Sequence, residues 1–268
     1  MGIRQLVRGR VPWSQLEAVG RQLVHRYELE SVRIEFLQAN NWLSTPMVVN
    51  EQWFVKVISP QNAFVHALFT TGRNLGMFSS GTEGFFEYID TPAEMAHQEL
   101  VATKKIREIG VNAPRPVEAF EVNSLGVLVL EYLQNFKTLN EVSSDQVKLY
   151  SPEIFQALQL MHSNKLAHGD LRAENVLIVD TDIYFIDVTT VDDTEIESAK
   201  SYDIACTLGV LEPQVGAKSA VRSALTIYSI EELLAAQEFL DFVNIRPDHD
   251  FDAASVKGEI ETQANSLM

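Results

Sequence analysis

Leu166-Ala167-His168-Gly169-Asp170-Leu171-Arg172-Ala173-Glu174-Asn175-Val176-Leu177-Ile178 is a polar loop that runs into an apolar strand-like segment. Twelve residues after Asn175, the stretch Tyr184-Phe185-Ile186-Asp187-Val188 sets a second carboxylate at the end of another apolar run. The runs 176–179 and 183–186 read as a short hairpin, which returns Asp187 beside Asp170 and Asn175.

Working outward from that loop, the chain before it is β-rich. Residues 13–28 carry Trp13, Leu16, Val19, Leu23, Val24 and Tyr27 at helical spacing after Pro12. Three β-like runs follow, Val32–Gln38, Met47–Asn50 and Trp53–Ile58, separated by polar turns, and Val117–Glu121 and Gly126–Tyr132 add two more. The run at 53–58 places Lys56 in an otherwise apolar strand, and a buried ammonium needs a partner. From Gln61 to Asp90 the composition shifts to Gly72, Gly76, Gly81 and Gly84 among Ser and Thr, read as a mobile insertion without the Lys-Ser/Thr of a Walker A loop. Thr91, Pro92 and Glu94 then spell a capping box and the start of a helix that stops at Gly110.

After the second pair of strands the chain turns helical. Ser151-Pro152-Glu153 reads as a helix start before Ile154, Phe155, Leu158 and Met161. Beyond the hairpin, helices are expected at about 201–212, 215–227, 230–243 and 252–264. Asp248, His249, Asp250 and Asp252 follow Arg246-Pro247 and read as a polar turn and helix N-cap rather than a metal site, and His97 and His162 as structural helix residues.

Composition narrows the function classes. With 268 residues, 46% of them apolar, the chain can bury one large core or two small ones. Asp plus Glu number 37 against 21 Lys plus Arg, a net charge of −16, so direct binding to a nucleic-acid backbone is not expected. The same balance fits an acidic surface, including one adapted to high salt. Against this trend, residues 1–33 hold Arg4, Arg8, Arg10, Arg21, Arg26 and Arg33 with only Glu17, Glu28 and Glu30, which marks a solvated helix face or a docking surface for an acidic partner. A lone cysteine, Cys206, excludes an intramolecular disulfide and reads as a buried thiol. No uninterrupted apolar run reaches membrane length, and the start of the chain matches neither a signal peptide nor a myristoylation motif, so a cytoplasmic location away from membranes is expected.

The H-x-D-x-x-x-x-N loop at 168–175 followed by the strand-end Asp187 resembles the catalytic loop and metal-binding Asp of the protein-kinase-like superfamily. That resemblance implies an α+β, bilobal protein-kinase-like fold with a five-stranded antiparallel N-lobe sheet and a helical C-lobe. It implies an N-terminal helical extension at 1–31, an N-lobe at 32–133 and a compact C-lobe at 134–268. The cofactors implied are ATP and Mg²⁺. Asp170 would orient the nucleophile's proton and Arg172 would steady the γ-phosphate, while Asn175 and Asp187 would hold Mg²⁺. Lys56 looks like the strand lysine on the phosphates, with Glu99 as its ion-pair partner. Leu128–Leu133 looks like the hinge that meets adenine, with Glu131 and Leu133 contributing. Asn40, Asn41 and Ser44 stand where a glycine-rich loop would cover the phosphates, although Gln38–Thr45 contains no glycine. Asp203 would match the helix acid that accepts hydrogen bonds from the catalytic-loop backbone.

Within the superfamily the chain is similar to the RIO kinases. Only about 35 residues separate Leu133 from His168, Ser201-Tyr202-Asp203 follows Asp187 with no room for a peptide-binding activation segment, and Ile186-Asp187-Val188 replaces Asp-Phe-Gly. The stretch Glu99-Leu100…Gly110-Val111…Pro114-Arg115-Pro116 also resembles the corresponding RIO helix, while the winged-helix domain of that family is not seen. The function implied is an ATP- and Mg²⁺-dependent phosphotransferase of the atypical serine/threonine kinase kind. The alternatives are a regulatory ATPase with a phosphoaspartate intermediate and a pseudokinase scaffold. A protein substrate or a ribonucleoprotein partner is compatible with the resemblance, and Ser79, Ser80 and Thr82 are candidate sites of self-phosphorylation.

Overall fold

The computed structural model describes residues 11–37, 44–62, 91–189, 195–246 and 249–267. It divides into two compact units, Met1–Gly72 with Tyr88–Lys104 and Pro114–Gln134, and Arg73–Glu87 with Lys105–Ala113 and Asn135–Met268.

The first unit is a five-stranded antiparallel sheet between two helices. Helix α1 (Trp13–Arg26) precedes β1 (Ile34–Phe36), β2 (Thr45–Val49) and β3 (Trp53–Ile58); α2 (Pro92–Glu108) precedes β4 (Pro116–Val122) and β5 (Leu125–Glu131). The strand order is β1-β2-β3-β5-β4, every neighbouring pair antiparallel. Two-residue periodicity splits the side chains between the faces. Val55 and Val57 join Met47, Val49, Val127 and Val129 beneath Leu16, Val19 and Leu23 of α1. On the other face Ile58, Leu128 and Leu130 pack under Met95, Ala96 and Leu100 of α2. The β4–β5 turn is a two-residue loop, Asn123-Ser124, with φ of 49° and 66°, the left-handed pair that suits the right-handed strand twist.

Gly126 on β5 makes the second helix's position possible. A Cβ there would lie 1.8 Å from the backbone oxygen of Pro92, so only glycine lets the start of α2 rest on the strand. The expected capping box is present, with Glu94 N donating to Thr91 Oγ1 and Thr91 N donating to Glu94 Oε2, each at 3.2 Å.

In the second unit, β6 (Lys137–Thr138), β7 (Val176–Val179) and β8 (Asp182–Phe185) form a small antiparallel sheet. Helices α3 (Ser144–Ser163), α4 (Ile196–Val215), α5 (Ala217–Leu225), α6 (Ile230–Gln237), α7 (Leu240–Asn244) and α8 (Ala253–Leu267) build the rest. Three features depart from the sequence expectation. The helix expected to open at Ser151 begins two turns earlier, capped by Ser143, whose hydroxyl accepts from Gln146 N while Gln146 closes the capping box. Pro152 lies inside that helix rather than at its first turn. Helix α4 starts at Ile196, because from Ala199 to Leu211 nearly every residue is buried and no amphipathic stripe marks its beginning. Residues 230–243 break at Glu238-Phe239 into two short helices.

Cys206 is buried, and burial raises its thiol pKa to about 12, which makes it unreactive. The arginines of the N-terminal region that are described all meet glutamates: Arg21 with Glu17, Arg26 with Glu118 and Arg33 with Glu51, while Arg26 also lies 4.1 Å over the Phe120 ring. Among the described residues no helix is long and apolar enough to cross a membrane.

Candidate active site

In the first unit the sheet's alternation turns Lys56 to the α2 face, where its register partners are Pro46 on β2 and Leu128 on β5. Its side chain is 8% exposed, and Glu99, reaching across from α2, meets the ammonium with both oxygens at 3.0 and 2.8 Å. Burial of each charge is therefore compensated by the other, and removing either partner leaves an uncompensated charge. Thr103 Oγ1 donates to Glu99 O at 2.7 Å and ties that turn of α2.

At the end of β5, Glu131 N donates to Arg115 O and Tyr132 N to Gln52 O, while Glu131 Oε2 accepts from Arg115 N. Leu133, partly buried, has no backbone hydrogen bond among the described residues. Ser44 directly precedes β2, with its hydroxyl buried and without a hydrogen-bond partner among the described residues. Asn40 and Asn41 lie outside the described residues, as does nearly all of the 61–90 segment with Ser79, Ser80 and Thr82.

In the second unit the loop 166–175 is pinned from below by one buried carboxylate. Asp203 on α4 accepts from His168 N at 2.7 Å and from Gly169 N at 2.8 Å, and its Oδ2 lies 3.0 Å from His162 Nε2. His162 Nδ1 in turn meets Tyr228 OH at 2.9 Å, so a relay from α3, α4 and the segment before α6 holds the loop. These are the loop contacts expected of Asp203. His168 is fully buried, and burial pushes its pKa down against the pull of Asp203, Asp170 and Asp187. Asp170 N donates to His168 Nδ1 at 3.4 Å, which assigns the proton of the neutral ring to Nε2.

Asp170 emerges from this loop with its side chain 14% exposed. Arg172 Nε lies 3.3 Å from its Oδ2, and Arg246 Nη2 donates to its Oδ1 at 2.6 Å. Arg172, two residues on, is thus placed against Asp170 rather than spread on the surface. Arg246 is the residue that sequence reasoning missed. It lies after α7 with no motif around it, and only the packing of α7 brings it to the loop.

Asn175 closes the single 3-10 turn Ala173–Asn175 and is buried. Its Nδ2 donates to Asp170 O at 2.9 Å, which turns the amide oxygen away from the loop backbone. Ile186 N donates to Asn175 O at 3.1 Å, so the end of β8 is bonded to the same turn and Asp187 follows directly. Asp187 holds a φ of 58°, a left-handed conformation uncommon outside glycine. Thr189 then bonds back to His168 O through both its N and its Oγ1. The hairpin therefore joins Asp170, Asn175 and Asp187 on one stretch of hydrogen-bonded backbone. An amide oxygen and a carboxylate are hard oxygen donors, the set that suits Mg²⁺. Asp252, by contrast, accepts from Ser255 N at 3.0 Å and caps α8.

Residues 87–210 match the family model of the RIO domain. The fold is similar to that of the Rio2 kinase of Chaetomium thermophilum, solved as an ADP/Mg²⁺-phosphoaspartate complex, with a TM-score of 0.51 and 16% identity over 96% of this chain and 78% of that one. No curated protein matches the sequence.

Proposed function

Because residues 87–210 match the RIO domain and the fold is similar to that of a Rio2 kinase, we propose that the chain is an atypical kinase of the RIO type, an ATP- and Mg²⁺-dependent phosphotransferase acting on a serine or threonine hydroxyl of a protein or ribonucleoprotein partner in the cytoplasm. The observation that carries this reading is the joined set Asp170, Asn175 and Asp187, built on hydrogen-bonded backbone and held by Asp203.

In this reading residues 32–133 form the N-terminal lobe and 134–268 the C-terminal lobe. Asp170 accepts the hydrogen bond of the attacking hydroxyl and orients its oxygen. Lys56, held by Glu99, neutralises phosphate charge. The Leu133 amide and the carbonyl of Glu131 receive adenine. Ser44, with Asn40 and Asn41, donates to the phosphates where glycines are missing, and the orphaned Ser44 hydroxyl supports that role. Arg172 steadies the transferred group. Asn175 and Asp187 would hold Mg²⁺, which when bound neutralises charge on the phosphates. Catalysis here is mostly positioning and electrostatics.

The test is release and transfer of the γ-phosphate from radiolabelled Mg-ATP, in low and molar salt, for the wild type beside Asp170→Ala and Asp187→Ala. Turnover is expected in the wild type and lost in both variants by about 100-fold or more. Full activity in Asp170→Ala would overturn the assignment. A wild type with neither turnover nor Mg²⁺-dependent tightening of nucleotide binding would make the protein a scaffold.

The phosphoaspartate in the Rio2 kinase complex favours a second reading, a regulatory ATPase that passes its phosphate through Asp187. Acid-labile, hydroxylamine-sensitive label on Asp187 supports it, and acid-stable phosphoserine on a partner argues for the first reading.

A further inference from the structure

Arg246 stands 76 residues beyond Asp170 and outside residues 87–210 matched by the RIO domain model, yet its Nη2 reaches Asp170 Oδ1 at 2.6 Å. Its other terminal nitrogen, Nη1, donates to the hydroxyl of Tyr202. Tyr202 is fully buried on α4, edge-on to Phe239 at a ring separation of 6.1 Å and tilted against Phe242 at the same distance. The Arg246 side chain is 12% exposed. Its backbone is held as well, with Arg246 N donating to Val243 O at 3.1 Å and His249 N donating to Arg246 O at 3.1 Å. An arginine fixed at its backbone and at both arms of its fork is a built part of the loop's surroundings, not a passing surface contact.

The chemistry of the pair is directional. A carboxylate offers two lone-pair directions on each oxygen. Arg246 occupies one on Oδ1, and Arg172 faces Oδ2 at 3.3 Å. Held at both oxygens, the carboxylate plane is kept from rotating. Lysine carries its donors on a single nitrogen, whereas the site uses the two separated nitrogens of arginine's planar fork, one for Tyr202 and one for Asp170.

We propose that Arg246 is a positioning residue for phosphotransfer: it locks the Asp170 carboxylate in the orientation that receives the acceptor hydroxyl, with Tyr202 of α4 and, at the start of α7 and within it, Phe239 and Phe242 supplying the buried seat. This rests on the phosphotransfer reading above. It makes the C-terminal helices part of the active site's support rather than an appendage to it.

The experiment uses the full chain and steady-state γ-phosphate turnover for the wild type, Arg246→Ala, Arg246→Lys and Asp170→Asn, each with and without millimolar guanidinium chloride, with nucleotide affinity measured separately. For Arg246→Ala, kcat is expected to fall about 30-fold while KM for ATP stays within about threefold, since the lost contact acts on orientation rather than on nucleotide binding. Added guanidinium ion is expected to recover at least about a third of the lost rate in that variant and none in Asp170→Asn. Arg246→Lys is expected to lose about tenfold in kcat with KM unchanged; if Arg246→Ala fails to fold, this variant decides the matter. Turnover within twofold of the wild type in the arginine variants overturns the proposal. So does faster turnover, which would make the arginine a block on Asp170. A loss that guanidinium does not relieve would make the residue purely structural and overturns it as well. Absence of turnover in the wild type is the separate result that removes the phosphotransfer reading itself.

Discussion

Lys56 and Glu99 place a full ion pair beside the apolar cluster of Ile58, Met95, Leu100 and Leu128 between the sheet and α2. Truncating one side leaves the other charge stranded, so Glu99→Gln is expected to lower stability by about 3 kcal/mol. Replacing both charges, as in Lys56→Met with Glu99→Leu, is expected to return most of that stability while leaving the protein inactive. Denaturant midpoints beside turnover measurements check this; equal destabilisation in the single and double variants would show that the pair's charges are not what is being compensated. His168 sets a pH dependence of the opposite kind from a surface histidine. Its folded pKa lies below the ordinary 6.5 because it is buried, so the unfolded chain binds the proton first. Stability is present above about pH 6.5 and declines as pH falls below it toward the depressed folded value. Glu141, Glu232 and Asp252, whose folded pKa values are lowered, withdraw their contributions only below their ordinary 4.5 and 3.8. His168 therefore contributes in the interval from about pH 6.5 to 5, above the range of those carboxylates. Melting temperature is expected to drop across it in the wild type and to stay flatter in His168→Phe; parallel slopes would mean that other groups carry the effect.

At the scale of elements, α2 reaches the sheet through the space left by Gly126. Gly126→Ala would drive a methyl group into the Pro92 carbonyl, so the helix must shift and Glu99 with it. A loss of about 2 kcal/mol is expected, together with weaker nucleotide binding. Unchanged melting temperature in that variant would mean that the helix start yields freely. Helix α3 bears a different mark. Pro152 in its interior removes the amide that would bond to Lys148 O. Pro152→Ala is expected to stabilise the protein by about 1 kcal/mol, less than the full helix-interior penalty, because proline also restricts the unfolded chain. The helix starts at the Ser143…Gln146 capping box, whereas the sequence reading placed its start at Ser151-Pro152-Glu153. Only the seating of Val147 and Ser151 in the core decides between them.

For the whole molecule, a net charge of −16 on 268 residues makes self-repulsion a general opponent of the folded state. Salt screens that repulsion over distances of about 10 Å at 0.1 M. It also weakens exposed pairs such as Arg21–Glu17 and Arg33–Glu51, but such pairs contribute only about 0–1 kcal/mol each. Melting temperature is therefore expected to rise between low and molar NaCl. A fall would show that the exposed ion pairs, rather than net repulsion, dominate. The pairing of Arg21, Arg26 and Arg33 with glutamates also bears on the N-terminal region, whose described arginines serve the fold locally before they meet any acidic partner.

The order and spacing of residues by themselves determined the five strands, the capping box at Thr91, the Lys56 that needs a partner and the loop–hairpin that joins Asp170 to Asp187, because these are local patterns of period, cap and turn. The α+β fold and the likeness to the RIO domain followed from them. Tertiary structure alone decided two things: that α4 begins at Ile196, and that Arg246 closes on Asp170. Each depends on which surfaces are buried together. A fully buried helix shows no stripe, and a residue 76 positions away from its partner carries no signal in the chain between them.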